Sequence, residues 1–281
     1  IGVEFASFYN ALGSKVTLIE MLEQILPAED LEISQFAKSQ FVSQGIDVRE
    51  NTKLLNIVKK EKKVEIHFDN ASDKQAHEFD AVIMATGIVG NIEDLGIEDL
   101  NISLVGTHIK TDSFCKTNID NIFAIGDVAG APWLAHKASH EGVMVAEVIA
   151  GHKVKSIDPY KIPGCTFSFP QIASVGYTER QAKGLGYTVK IGKFPFIGNG
   201  KALAVGEPEG FIKTIFDDDT GELIGAHMVG TEVTELIHSY VLGKQLETTE
   251  EDLIDTIFPH PTLSEMLHES ALNAFGRGLH F

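Results

Sequence analysis

The chain has 281 residues, 43 % of them hydrophobic, and a formal net charge of −17. This acidity argues against nucleic acid, whose binders need a basic surface. No apolar run reaches the roughly 18 residues of a membrane span and no secretory signal opens the chain, which predicts a globular protein of two ordinary domains' length, in cytoplasm or an organelle matrix.

The first 90 or so residues alternate as α/β units do. "VEFASFYNALG" has helical spacing and stops at Gly13, a natural helix end. "KVTLIE" reads as a short buried strand. "LEISQFAKSQFVSQG" is a second amphipathic helix, closed by Gly45. "IDVRENTK" and "LLNIVKKEKKVEIHFD" read as strands, with a turn near 60–62. "FDAVIMATG" is a continuous apolar run, the pattern of a parallel strand buried on both faces.

A second block extends from about 89 to 158. "NIFAIGD" reads as another apolar strand, and "AHKASHEGVMVAEVIAG" as a long helix ending at Gly151. "SIDPYKIPG" has the composition of a linker. From about 162 the pattern alternates in "TFSFPQIASVGYT", "TVKIGKFPF" and "GFIKTIFDDDTGELIGAHMVG", where "DDDTG" marks a hairpin. Three helices follow: "TEVTELIHSYVLGKQL", "TTEEDLIDTI" and "TLSEMLHESALNAFG". The fold class is therefore α/β followed by an α+β domain.

Several residues suit nucleotide chemistry. Gly2 opens a helix, and the next strand ends in Glu20. This matches the second half of a dinucleotide fingerprint, in which an acid at the second strand's tip accepts the adenosine ribose hydroxyls. Close helix–strand packing for Gly2 and a solvated strand end for Glu20 explain them equally well. A carboxylate at Glu20 repels a 2′-phosphate, and Met21, Leu22 and Glu23 supply no cation, so NAD is favoured over NADP. Gly87 closes "MATG", either as a tight turn or to admit a ligand at a strand's end. Asp127 stands in a small-residue loop eight residues before a helix whose N–H groups suit an electron-rich ring oxygen. His136 and His140 share a helical face but have no third metal ligand nearby. Cys115 and Cys165 form no CxxC pair and read as ordinary small residues.

"IGVEFA", "VTLIE", "MATG", "TNIDNIFAIGD", "LAHKASHEG", "ASVGYTE", "GAHMVG" and "HPTLSE" occur in an order that resembles the pyridine nucleotide–disulfide oxidoreductases, nearest the branch that oxidises dihydrolipoamide. The resemblance covers the whole chain. It implies a partial, Rossmann-like NAD domain over 1–88, a central FAD-contacting segment over 89–158, and a dimer-interface domain over 159–281. It also implies that the chain starts at the third glycine of the NAD motif. The FAD pyrophosphate glycines and a CxxxxC redox disulfide would then precede Ile1, and residues 1–281 alone would be inactive.

By resemblance, Ile1, Gly2, Val3, Glu4, Glu20, Leu54 and Gly87 contact NAD, with Glu4 near the nicotinamide. Asp127 meets the FAD ribitol, and Trp133, Leu134, Ala135 and His136 lie along the flavin. His260 is the acid/base of the dithiol site and Glu265 its orienting carboxylate. In this family that histidine serves the partner subunit, so a homodimer is implied. The lipoyl domains of 2-oxo-acid dehydrogenase complexes are the implied partners. Two departures stand out: "GIVGN" replaces the frequent "GRRPN", and Thr231 stands where proline is common. A glutathione-reductase-like enzyme and a non-catalytic dimerisation module remain as alternatives. Read without the resemblance, Thr262-x-x-Glu265 is a capping box.

Overall fold

The computed structural model describes residues 1–69 and 76–281. The elements run α1 (Gly2–Ala11), β1 (Thr17–Ile19), α2 (Leu31–Ser43), β2 (Asp47–Arg49), β3 (Lys53–Lys59), β4 (Val64–Asp69) and β5 (Ala76–Phe79). Then come β6 (Leu104–Val105), β7 (His108–Ile109) and α3 (Ala135–Ile149). The C-terminal part holds β8 (Gly164–Thr166), β9 (Gln171–Gly176), α4 (Glu179–Gly184), β10 (Val189–Pro195), α5 (Gly200–Val205), β11 (Phe211–Asp217), β12 (Leu223–Gly230), α6 (Val233–Gln245), α7 (Glu250–Asp255) and α8 (Glu265–Ala274). The chain forms two compact units, Ile1–Ala85 with Pro163–Phe281, and Thr86–Ile162.

The first unit is built on a five-stranded antiparallel sheet of order β10-β11-β12-β9-β8. Its strands alternate so that each face finds apolar cover. Ala173, Val175, Phe194, Ile212, Ala226 and Met228 join one core with Val233, Ile237 and Tyr240 of α6 and Met266, Leu267 and Ala271 of α8. From the other face Ile172 and Val229 pack with Val3 and Ala6 of α1 and Ile33, Ala37 and Phe41 of α2. One glycine sets a close approach: a Cβ on Gly192 would lie 1.8 Å from the Ser270 carbonyl oxygen, so α8 sits hard against β10 only because that atom is absent.

A polar row crosses the α2-facing side of the sheet, where Lys193, Lys213, His227 and Ser174 are successive register partners. Lys213, 1 % exposed, meets Asp30 Oδ1 at 2.9 Å, Glu32 Oε2 at 2.7 Å and Glu179 Oε2 at 2.7 Å. Burial alone would lower the Lys213 ammonium, but these carboxylates push it up to about 12. Asp30 also caps α2 through the Glu32 N–H. The cluster thus ties the start of α2 to the sheet.

Elsewhere in this unit β1 and β2 form a parallel pair, and β3-β4-β5 an antiparallel sheet with its turn at Lys60–Lys63. Gly13 and Gly45, both with positive φ, follow α1 and α2 as the sequence predicts. In the second unit α3 is followed in the same way by Gly151.

Two predicted strands do not form. "FDAVIMATG" leaves β5 at Phe79 and runs outside regular structure, with Ile83 and Met84 exposed. A parallel strand needs a neighbouring edge, and β1 pairs only with β2 among the described residues. "NIFAIGD" makes a single bridge, Phe123 to Lys116, before a 3-10 turn over Gly126–Ala129. The short helices α4 and α5 were not expected from the sequence pattern, although Thr178 and Gln181 close a capping box on α4.

Candidate functional site

The "HPTLSE" stretch lies in the turn that leads into α8. His260 Nδ1 is 2.9 Å from Glu265 Oε1, and Glu265 Oε2 accepts the Thr262 N–H at 2.8 Å. The His260 side chain is 80 % exposed and Glu265 28 %. Nδ1 donates to the carboxylate, which leaves Nε2 facing outward, free of hydrogen bonds to the described residues. Burial raises the Glu265 carboxyl, but the Thr262 N–H, the His260 bond and the His260 charge outweigh it and hold it below the usual range. The carboxylate is therefore ionised at neutral pH, as an imidazole orienter must be.

The predicted capping box does not close. The helix starts at Glu265 with Ser264 as N-cap, and no side chain caps it. Thr262 Oγ1 is engaged with the Pro259 carbonyl and Ser264 Oγ, so only the Glu265-to-Thr262 half of the box exists. Asn199 Nδ2 adds a bond to the Thr262 carbonyl at 3.1 Å and so anchors the turn from the start of α5.

At the other end of the first unit, Glu20 finishes the β1 segment. Its Oε1 accepts the Leu22 N–H at 2.9 Å, which fixes the carboxylate at the strand tip. A Cβ on Gly2 would meet only Ala85 Cβ, at an ordinary 3.4 Å. Packing within this chain therefore does not require glycine there. Val3 is buried in the α1 core, Ile1 is exposed, and Glu4 Oε1 accepts the Phe167 N–H at 2.8 Å. Leu54 is half-buried on β3 opposite Phe68. A cavity of about 430 Å³ opens beside Glu20, lined by Met21, Leu22, Glu23, Gln24 and Arg180 among others. Sequence reading missed the cation: Arg180 comes from α4, far along the chain, and lies 3.7 Å from Glu23, both side chains exposed.

In the second unit Gly87 takes φ +74° in an irregular segment. Asp127 is exposed in the 3-10 turn, its carboxylate without a hydrogen bond to the described residues. Leu134 is the N-cap of α3 and offers no side-chain cap. Ala135 and His136 are exposed at this helix start. Trp133 Nε1 donates to His108 Nε2 at 3.2 Å. Asp127 and the start of α3 thus place an exposed carboxylate near a helix N-terminus, an acceptor beside a partly positive dipole end. Also missed from sequence was a buried ion pair behind this turn, Lys137 with Glu141 at 3.0 Å. Helical i,i+4 spacing was the available signal.

Burial, then the Glu141 charge, pushes Cys115 up to about 11, and burial raises Cys165, so both stay protonated at neutral pH. Among the described residues no group of three or more His, Cys, Asp or Glu side chains could hold a metal, and no helix is long and apolar enough to cross a membrane.

Residues 1–142 match the family model of the pyridine nucleotide-disulphide oxidoreductases, and residues 162–271 the model of that family's dimerisation domain. The chain belongs to this family. It is 51 % identical to a dihydrolipoyl dehydrogenase of Zymomonas mobilis, over 100 % of this chain and 61 % of the relative. Against the Bacillus subtilis dihydrolipoyl dehydrogenase it is 41 % identical, over 100 % of this chain and 60 % of the relative. Among solved structures, LpdA from Mycobacterium tuberculosis superposes with TM-score 0.88 at 26 % identity, covering 96 % of this chain and 58 % of that one. The chain thus spans about three-fifths of the curated relatives it matches. Family membership accounts for the mixed α/β architecture and for a C-terminal sheet and helix layer of the dimerisation type.

Proposed function

We propose that these residues are about three-fifths of a dihydrolipoyl dehydrogenase, which oxidises dihydrolipoamide through a redox disulfide and FAD and reduces NAD+. The observation that carries this reading is the exposed His260, oriented by an ionised Glu265. Thiolate, not thiol, attacks a disulfide, so the reaction needs a base for the thiol proton. Imidazole is matched to that task near neutral pH. Glu265 on Nδ1 holds the tautomer that presents Nε2, and it stabilises the imidazolium once the proton arrives. When bound, flavin and nicotinamide supply the hydride chemistry.

The remaining assignments follow the same reading. Residues 1–88 belong to the NAD domain, 89–158 to the FAD-contacting segment and 159–281 to the interface. Ile1, Gly2, Val3, Glu4, Glu20, Leu54 and Gly87 bind NAD; Asp127, Trp133, Leu134, Ala135 and His136 bind FAD. Glu20 fixed at its strand tip favours NAD over NADP. Its neighbour Arg180 lies 3.7 Å from Glu23, in a pair exposed on both sides. High exposure of His260 fits a base that works on a second subunit, hence a homodimer. Lipoyl domains in the cytoplasm or an organelle matrix would present the substrate.

The test compares two reactions of the full-length flavoprotein. His260→Gln should lower lipoamide-dependent NAD+ reduction about 10²- to 10⁴-fold and leave NADH-driven dye reduction largely intact. Equal loss of both activities would remove His260 from the base role.

A further inference from the structure

We propose that the buried Lys137–Glu141 pair is the positioning element of the Asp127 turn, holding that carboxylate and the start of α3 as one rigid flavin-facing unit. The inference rests on the flavin-side reading of Asp127.

Both backbone groups of Gly126 end on this pair. Its N–H donates to Glu141 Oε2 at 2.7 Å, and its carbonyl accepts from Lys137 Nζ at 3.3 Å. Lys137 also reaches the Gly130 carbonyl at 3.1 Å, so the ammonium spans the turn from the residue before Asp127 to its far end. The two side chains are 8 % and 11 % exposed and lie 3.0 Å apart. Gly126 adopts φ +71°, and a Cβ there would lie 3.2 Å from Ala138 Cβ, so the turn is pressed against α3. Asp127 has no side-chain bond of its own to the described residues; its place is set by the backbone that the pair holds.

A buried ion pair is a poor device for stability, because desolvating both charges offsets most of their attraction. An apolar pair of similar volume would serve a core as well. What an apolar pair cannot do is satisfy the Gly126 N–H and two carbonyls in fixed directions. Lys137 is the third residue of α3 and Glu141 lies one turn further on. The helix N-terminus and the Asp127 carboxylate are therefore set at one spacing.

Three variants of the full-length protein test this: Asp127→Asn, the double replacement Lys137→Met with Glu141→Leu, and Glu141→Gln. FAD affinity after removal and re-addition of flavin, the visible circular dichroism of bound flavin, and the melting point of the flavin-free protein are measured for each. Asp127→Asn and the double replacement should each weaken FAD about tenfold or more, with altered flavin dichroism, while the flavin-free melting point of the double variant falls only by the cost of the Gly126 and Gly130 groups left unpaired. Native FAD affinity in the double variant, beside weakened Asp127→Asn, overturns the positioning role. Native affinity in Asp127→Asn overturns the flavin-side reading of that residue instead. Should the double variant fail to fold, Glu141→Gln decides: it keeps an oxygen for Gly126 but loses the charge that holds Lys137. Weakening of about threefold or more supports the proposal, and unchanged affinity with unchanged dichroism defeats it.

Discussion

The strand β12 and the run Ala81–Ala85 carry the same kind of apolar sequence and end in opposite states. β12 is buried at every residue, with hydrogen-bonded strands on both edges and helices packed on both faces of its sheet. Ala81–Ala85 joins no sheet among the described residues, and Ile83 and Met84 are 48 % and 54 % exposed. An apolar pattern specifies that a segment should be buried. It does not supply the neighbour that buries it, and a strand has no stability apart from that neighbour.

The sharpest way to break this comparison is backbone amide exchange. In a protein of residues 1–281 alone, amides of 81–85 should exchange at least about a thousandfold faster than those of 224–229, the difference between unprotected and globally protected groups. In the full-length enzyme proposed above, the same amides should become protected. Slow exchange at 81–85 in the shorter protein would mean that the run has found a partner without the longer chain.

What could be read from sequence divides along the same line. Elements whose partners lie within these residues were legible, among them the hairpin around Asp217–Gly221, the strands of the C-terminal sheet, and the helix ends at Gly13, Gly45 and Gly151. Local pattern and final environment agree there. The runs "FDAVIMATG" and "NIFAIGD" misled because strand formation depends on pairing at a distance. In the site, His260 and Glu265 were read as a pair only through the family resemblance, since spacing alone suggested a capping box; the structure joins them within one turn. The Lys213 cluster draws on Asp30, Glu32 and Glu179, which no sequence spacing joins. Arg180 beside Glu23 is hidden for the same reason.

That cluster gives the next largest expected effect, and it concerns the junction between the α1–α2 layer and the C-terminal sheet. Lys213→Met would leave Asp30, 3 % exposed, without its cation. Burial pushes the Asp30 carboxyl up, and the Lys213 bond and charge at present hold it below its ordinary range. Breaking a buried ion cluster by removing one partner costs about 3–5 kcal/mol. Urea denaturation at pH 7 should show this loss. Part of it should return on acidification, because a protonated Asp30 no longer needs the cation. A loss under about 1 kcal/mol would mean that the α2 layer is held to the sheet by its apolar contacts alone.

The smallest effect belongs to Glu29, one residue from that cluster but outside its ion pairs. Burial raises its carboxyl from 4.5 to about 7, against a hydrogen bond with Ser174 that lowers it, and Oε2 is buried without a partner. Below about pH 4.5 the proton is bound in folded and unfolded chains alike, and Glu29 costs nothing. Between 4.5 and about 7 the unfolded chain releases the proton while the folded chain retains it, so stability falls as pH rises. Above about 7 the penalty is complete, at roughly 3 kcal/mol for a shift of this size. Glu29→Gln removes the titration and leaves the volume unchanged. Its amide also brings a buried N–H in need of an acceptor, which adds an offset of either sign that does not vary with pH. The informative quantity is therefore the slope. Wild-type stability minus that of Glu29→Gln should fall by about 3 kcal/mol from pH 4 to pH 8, nearly all of it between 4.5 and 7. A difference that is flat across that window would place the Glu29 carboxyl in water, and the layer between α2 and the sheet would then be open to solvent rather than closed.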